Sequence, residues 1–165
     1  MSRRDEILDV AATILEEEGV EAVTMREVAA RMGIRAPSLY KHVQDKDDIV
    51  AGLQERALVA LTQHLAEVPG GLAELAGAYR SWAMANPRLY DVATGRPLAR
   101  DRIAPGVEAA AAAPIVAAAG GDEHLARALW ALAHGLVDLE LAGRFPPDSD
   151  LDATWRTALS GFAAP

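Results

Sequence analysis

Apolar residues recur every three or four positions along most of the chain, as one face of an α-helix requires. The first such stripe, which includes Ile7, Ala11 and Ile14, predicts a helix over residues 3–18 that Gly19 ends. Helices are also predicted over residues 45–65, 72–85, 107–119, 123–143 and 150–162, the last of which includes Phe162. No strand-like alternation of any length is present in the sequence. We therefore expect an all-α fold, with residues 95–106 as a loop because they are rich in glycine and proline.

Residues 24–48 predict two short helices joined by a tight turn and followed by a longer helix. Thr24 is an N-cap residue with a glutamate three positions later, which is the spacing of a capping box. Gly33 can adopt the left-handed conformation that ends a helix. Pro37 suits the first turn of the second short helix, because a proline lacks the amide that would be unpaired there. Asp45 can cap the longer helix.

The second short helix, residues 37–43, is predicted to turn Leu39 and Val43 inward. Its outer surface then carries hydroxyl, aromatic and cationic groups: Ser38, Tyr40, Lys41 and His42. A helix–turn–helix whose second helix exposes such groups has the shape that enters a DNA major groove.

These residues resemble the TetR family of transcriptional repressors. The family pattern is filled by four short runs: TMREVA (24–29), MGI (32–34), PSLYKHV (37–43) and KDDI (46–49). The resemblance implies an N-terminal three-helix DNA-binding head over residues 1–48. It also implies a C-terminal helical domain for effector binding and dimerisation over residues 49–165.

The resemblance and the predicted exposure assign ten candidate DNA contacts: Thr24, Arg26, Arg35, Ala36, Pro37, Ser38, Tyr40, Lys41, His42 and Lys46. Arginine paired with guanine is the commonest specific contact, so Arg26 is expected to read a base edge rather than to be simply exposed. Tyr40 and Lys46 are expected to bind phosphates, Lys46 together with backbone amides at its helix start. Thr24 is explained equally well as a cap. The sequence leaves open which of Lys41 and His42 reads a base.

The C-terminal half is similar to a TetR subgroup marked by a tryptophan, a histidine and a glycine in the penultimate helix. Trp130, His134 and Asp138 lie four positions apart and share one helix face. Two interpretations stay open: a pocket in which Asp138 orients His134 towards a ligand, or a polar cluster at a dimer interface. The candidate ligand-binding residues are Tyr79, Trp82, Tyr90, Trp130, His134 and Asp138.

Residues 123–143 are apolar on nearly all sides, and a helix of this kind needs to be covered on more than one face. A small domain covers two faces with difficulty. We therefore expect a homodimer in which the two C-terminal helices of each subunit form a four-helix bundle.

Composition restricts the remaining possibilities. The net charge of −8 argues against a polyanionic partner unless the cations are concentrated at one surface. The absence of cysteine excludes disulfides and thiolate sites. No His, Asp or Glu group has metal-site spacing, so neither a metal nor a cofactor is expected. The N-terminus lacks the long apolar core of a signal peptide, and no apolar run is long enough to span a bilayer. The protein is therefore expected in the cytoplasm, without a membrane partner.

The sequence thus favours a ligand-responsive repressor that binds a pseudo-palindromic double-stranded operator as a homodimer and responds to a small-molecule effector. Two alternatives belong to other classes. The chain could be a sensor with a degenerate head and a protein partner, although the intact Tyr40, His42 and Lys46 argue against degeneracy. It could also be a helical enzyme in which His134 and Asp138 together act as a catalytic base.

Overall fold

The computed structural model describes residues 2–161, and every regular element in that range is helical. Short turns and 3-10 segments join the α-helices. These are α1 (Arg3–Glu18), α2 (Met25–Arg31), α3 (Lys46–Ala66), α4 (Leu72–Ala85), α5 (Pro87–Thr94), α6 (Val107–Ala118), α7 (Glu123–Leu141) and α8 (Leu151–Ser160). The predicted all-α fold is confirmed.

Side-chain caps determine where the first helices begin. The Ser2 hydroxyl accepts a hydrogen bond from the Asp5 amide at 3.1 Å, and the Thr24 hydroxyl accepts one from the Glu27 amide at 3.1 Å. Both bonds satisfy amides that have no partner inside their own helix. The cap predicted at Thr24 is confirmed. The Glu27 carboxylate accepts a hydrogen bond from Arg31 Nε at 2.9 Å. In the predicted capping box it would instead accept one from the backbone amide of Thr24.

A short 3-10 helix, Ala36–Lys41, lies between α2 and α3 and is named the recognition helix below. Gly33, with a φ of 65°, occupies the turn before it, in the left-handed region that favours glycine. The sequence predicted a helix over residues 37–43. The structure differs because the Ser38 amide donates to the Arg35 carbonyl, three positions back, at 2.9 Å. A 3-10 arrangement suits a helix of so few residues.

The recognition helix packs on α2, and its apolar side faces the core. Leu39 is fully buried, and Val43, just after the helix, is 2% exposed. The predicted stripe of α1 is buried in the same way, with Ile7 and Ile14 fully covered. Burial of one such side chain contributes roughly 1.5–3 kcal/mol to the free energy of folding. This core fixes which side of the recognition helix faces outward.

The described residues form two compact units. The head unit consists of residues 2–59 and Arg88–Val107, and the C-terminal unit consists of Ala60–Pro87 and residues 108–161. Helix α3 contributes residues to both units. The division into functional domains between residues 48 and 49 stays a prediction.

One arginine joins three helices of the C-terminal unit. Arg80 on α4 donates to both carboxylate oxygens of Glu140 on α7, at 2.9 and 2.8 Å, and to Asp152 on α8 at 2.6 Å. Its guanidinium also lies 5.6 Å from the ring centroid of Trp155 on α8. The hydrogen bond to Glu140 is the main reason that the pKa of Arg80 is raised.

Helix α6 contains a proline, and helix α8 is shorter than the sequence predicts. Helix α6 continues through Pro114, and none of its residues is buried. Helix α8 ends at Ser160. Phe162, which the sequence predicts in the last helix, lies outside the described residues. Within residues 2–161, no helix combines the length and the apolar character needed to cross a membrane.

Candidate nucleic-acid interface

The recognition helix presents its polar side chains to solvent. Tyr40 is 58% exposed, although its neighbour Leu39 is fully buried. Four other predicted contacts in this stretch are also exposed: Pro37, Ser38, Lys41 and His42. Ala36 is half-buried. These side chains can approach a duplex without any change in the core.

Three exposed cations adjoin this surface and have no ion pair with a carboxylate among the described residues. They are Arg26 on α2, Arg35 before the recognition helix and Lys41 at its end. The ion pairs of the head unit within 4.0 Å involve other side chains. Positive charge is therefore uncompensated beside the recognition helix.

Two other arginines of the head unit are neutralised. Arg31 at the end of α2 is held at 2.6, 2.6 and 2.9 Å by three carboxylates: Glu17, Glu18 and Glu27. These bonds raise the pKa of Arg31, that to Glu17 most strongly. Arg4 donates two hydrogen bonds, at 2.8 and 3.0 Å, to the buried carboxylate of Asp48. Arg31 and Arg4 thus offset carboxylates of the head unit, whereas Arg26, Arg35 and Lys41 do not.

Lys46, the first residue of α3, has a weak partner. Its ammonium lies 3.4 Å from the carboxylate of Glu21, which is 83% exposed. An exposed pair of this kind contributes little free energy, so a phosphate can replace the carboxylate. The Thr24 hydroxyl accepts the capping bond described above and keeps its own proton free to donate.

The structure separates the six candidate ligand-binding residues. Tyr79 and Trp82 are buried in the C-terminal unit, whereas Tyr90 is buried in the head unit. Trp130 is 47% exposed and stacks on His134, with their ring centroids 5.7 Å apart. The adjacency predicted from their spacing is therefore present, and Asp138, the third residue of that face, is exposed.

A pocket of about 820 Å³ opens in the C-terminal unit between α4, the end of α6, α7 and α8. Its wall is mainly apolar, with Leu72, Leu125, Trp155 and Leu159, and Arg80 lies beside them. None of the six candidate ligand residues lines it. Sequence reasoning missed this pocket because its walls come from helices far apart in the chain, and no spacing rule connects them. Among residues 2–161, no group of three His, Asp or Glu side chains is arranged to hold a metal ion.

Comparisons with known proteins extend over nearly the whole chain. Residues 7–53 match the model for bacterial regulatory proteins of the tetR family, and residues 72–162 match the model for the tetracyclin repressor-like C-terminal domain. The uncharacterised HTH-type transcriptional regulator Rv0681 of Mycobacterium tuberculosis is 33% identical, over 98% of this chain and 80% of its own length.

Solved structures give the same picture. A protein with unknown function from Rhodococcus sp. RHA1 is 27% identical, with a TM-score of 0.73, over 98% of this chain and 94% of its own. The multidrug binding protein EbrR, solved in complex with imidazole, is 25% identical, with a TM-score of 0.70, over 100% of this chain and 97% of its own.

The two family models account for the predicted head and for most of the C-terminal half, while the resemblance to the Trp–His–Gly subgroup stays a prediction. The chain belongs to the TetR family and is a transcriptional regulator with a helix–turn–helix DNA-binding domain, not an enzyme.

Proposed function

We propose that this regulator is a ligand-responsive repressor that binds a pseudo-palindromic operator as a homodimer. The observation that carries the proposal is an exposed recognition helix flanked by three cations without carboxylate partners in the described chain: Arg26, Arg35 and Lys41. Phosphate contacts dominate the affinity of proteins for DNA, and recognition helices read bases from within the major groove. One surface of the head unit meets both requirements.

The ten predicted contacts divide between reading bases and binding phosphates. We assign a base edge to Arg26 and phosphates to Tyr40 and Lys46. In the dimer, two recognition helices enter successive major grooves, with half-sites roughly 34–36 Å apart. Such a regulator acts on the chromosome, so we propose a cytoplasmic location.

The DNA-binding surface is tested with Lys41→Gln, which removes one positive charge. We expect the affinity for a duplex selected by the wild-type protein from a random-sequence library to fall roughly three- to tenfold at low salt. The slope of log K against log salt should also become shallower by about one. Fluorescence anisotropy titrations over a salt series measure both quantities.

Arg144→Gln is the matched control for this experiment. Arg144 is also an exposed cation without an ion pair among the described residues, but it belongs to the C-terminal unit. Equal losses of affinity in the two variants would refute the proposed surface.

The outer face of α7 supports the homodimer. Helix α7 buries Ala126, Leu129 and Ala133 on its inner face, whereas Trp130 is 47% exposed. Gly135 faces outward, because a Cβ built on it would meet no atom within 4 Å. Large exposed aromatics and close approach at a glycine both suit a helix–helix interface. This arrangement favours the interface interpretation of the Trp130–His134 pair.

Gly135→Arg tests the dimer without disturbing the subunit. The new side chain has space in a single subunit and replaces a poor helix former, so folding should be retained. A closely packed partner helix has no room for it, so we expect light scattering to show a dimer for the wild type and a monomer for the variant. Ser81→Arg is the matched control, because Ser81 is an exposed residue of α4 outside the pocket lining. A dimeric Gly135→Arg variant would refute this interface.

We further propose that the effector is a small, largely apolar molecule bound in the C-terminal unit. The related EbrR is a multidrug binding protein. The pocket of about 820 Å³ is within the range of small-molecule sites. An effector would act through its different affinities for the DNA-bound and free separations of the two recognition helices.

A thermal-shift screen of small apolar compounds tests this proposal. Leu159→Trp fills the pocket and should abolish the shift caused by a compound bound there. A shift that survives Leu159→Trp but disappears in Trp82→Ala would assign binding to the residues predicted from the sequence. A compound that releases DNA equally from the wild type and from Leu159→Trp would refute this pocket as the effector site.

A further inference from the structure

The loop between α5 and α6 is fixed to α3 by a buried glutamine of the same unit. Gln54, 1% exposed, donates through Nε2 to the carbonyls of Val92 at 3.1 Å and Pro97 at 3.2 Å. Its Oε1 accepts from the Ala99 amide at 3.1 Å. A buried amide with three partners is costly to displace, because each partner would be left unsatisfied. Gln54 therefore holds the loop in one position along α3.

Arg102, in the same loop, reaches the N-terminus of α3. Its Nη1 donates to Asp45 Oδ1 at 2.7 Å, and the same oxygen accepts the capping bond from the Asp48 amide at 2.8 Å. The bond from Arg102 is the main cause that lowers the pKa of Asp45, followed by the bond from the Asp48 amide. Asp45 is therefore a capping carboxylate whose charge is balanced from the loop.

The position of Asp45 makes this balance relevant to DNA. Asp45 immediately precedes Lys46 and follows His42 by three positions, and both of these are proposed DNA contacts. Asp47 and Asp48 add two more carboxylates in the first turn of α3. A carboxylate at this edge repels the phosphates that Lys46 attracts, unless a cation neutralises it. Arg4 neutralises Asp48 from α1, and Arg102 neutralises Asp45 from the loop.

We propose that Arg102 is a positioning residue for DNA binding, which acts by balancing the charge of Asp45 beside Lys46. The proposal rests on the proposed DNA contacts of Lys46 and His42. It gives the loop a regulatory role, because any shift of the loop that separates Arg102 from Asp45 restores a negative charge at the DNA-facing edge. The loop continues directly into α6, whose residues from 108 onward belong to the C-terminal unit, so effector binding there has a covalent route to Arg102.

A double-mutant cycle of Arg102→Gln and Asp45→Asn tests the proposal. Asparagine keeps an oxygen that can cap α3 but removes the charge. We expect Arg102→Gln to weaken binding to the selected duplex roughly three- to tenfold. Asp45→Asn should bind at least as tightly as the wild type, and the double variant should return to within about twofold of Asp45→Asn. Anisotropy titrations over a salt series provide the affinities.

Several outcomes would overturn the role of Arg102. These are an unchanged affinity of Arg102→Gln, a loss that Asp45→Asn does not rescue, and weaker binding by Asp45→Asn alone. The second would mean that Arg102 acts through the fold rather than through charge. Arg102→Lys keeps the charge and should retain most of the affinity, whereas Arg144→Gln controls for the loss of one positive charge elsewhere.

Lys46→Ala separates this proposal from the one on which it rests. If Lys46→Ala leaves the affinity unchanged, the proposed DNA contact itself fails. If Lys46→Ala weakens binding and Arg102→Gln does not, only the role of Arg102 fails.

Discussion

Arg31 and Arg35 are four residues apart in the chain, yet their surroundings are opposite. Arg31 is held by three carboxylates, and Arg35, next to the recognition helix, has no carboxylate partner among the described residues. The contrast explains how a chain with a net charge of −8 can present a cationic surface. Total charge is therefore a poor guide to DNA binding, and the distribution of carboxylates around individual cations is a better one.

The largest effect on DNA affinity is expected when a carboxylate replaces a cation beside the recognition helix. Arg35→Glu changes the charge beside the recognition helix by two units. At about 1 kcal/mol for each charge, we expect roughly a thirtyfold loss of DNA affinity at low salt, measured by anisotropy. Arg144→Glu makes the same change in the C-terminal unit. A similar loss in both variants would mean that total charge, not its placement, governs binding.

Loss of a carboxylate that is paired with an arginine should lower the stability of the fold. Asp48 accepts two bonds from Arg4 and one from the Gln44 amide at 2.8 Å. We expect Asp48→Asn to lower the free energy of unfolding by about 1–2 kcal/mol at pH 7. This is less than a fully buried charged hydrogen bond contributes, because Arg4 is 36% exposed. Urea unfolding measures this difference.

Asp9→Asn is the control, because its carboxylate is 52% exposed in its pair with Arg56. A loss of stability as large as that of Asp48→Asn would contradict the importance of burial.

The stability difference between the wild type and Asp48→Asn should also depend on pH. The bonds from Arg4 are the main reason that the pKa of Asp48 lies below its ordinary value. A lowered folded pKa contributes stability above the unfolded value of about 3.9 and loses it as the pH falls through the folded pKa. The difference should therefore be constant near neutrality and shrink below about pH 3.9. A difference that grows in acid would contradict this assignment.

The smallest effect on DNA affinity is expected when the carboxylate that pairs with Lys46 is removed. Glu21→Gln removes the carboxylate that pairs with Lys46, so one more cation becomes available to phosphate. Exposed pairs contribute up to about 1 kcal/mol, so we expect DNA affinity to rise about two- to fivefold. Glu16→Gln removes the same charge from an exposed site on α1. Equal gains in both variants would show that Glu21 has no specific effect on Lys46.

The head could be predicted because its signals are local. Thr24, Gly33 and Pro37 lie within one short stretch, and each specifies a cap, a turn or a helix start through its own chemistry. The spacing of Trp130 and His134 predicted their contact for the same reason. Helical periodicity does not distinguish an α-turn from a 3-10 turn over six residues, so the form of the recognition helix was missed.

The ion pairs and the loop could not be predicted, because they depend on tertiary structure. Arg4 and Asp48 are 44 positions apart, and Lys46 and Glu21 are 25 apart. Gln54 bonds only to backbone atoms in the contacts described above, and backbone atoms carry no sequence signature. The same limit applies to the pocket of the C-terminal unit, whose lining depends on how four helices meet.

The recognition helix depends on the interior through Leu39, its one buried side chain. Residues on its outer surface therefore experience little selection for folding, and mutations at Ser38, Lys41 and His42 can accumulate with the hydrophobic core intact. With Ser38, Lys41 and His42 as the DNA contacts that we propose, directed evolution of these three positions could retarget the regulator to new promoters for synthetic gene circuits.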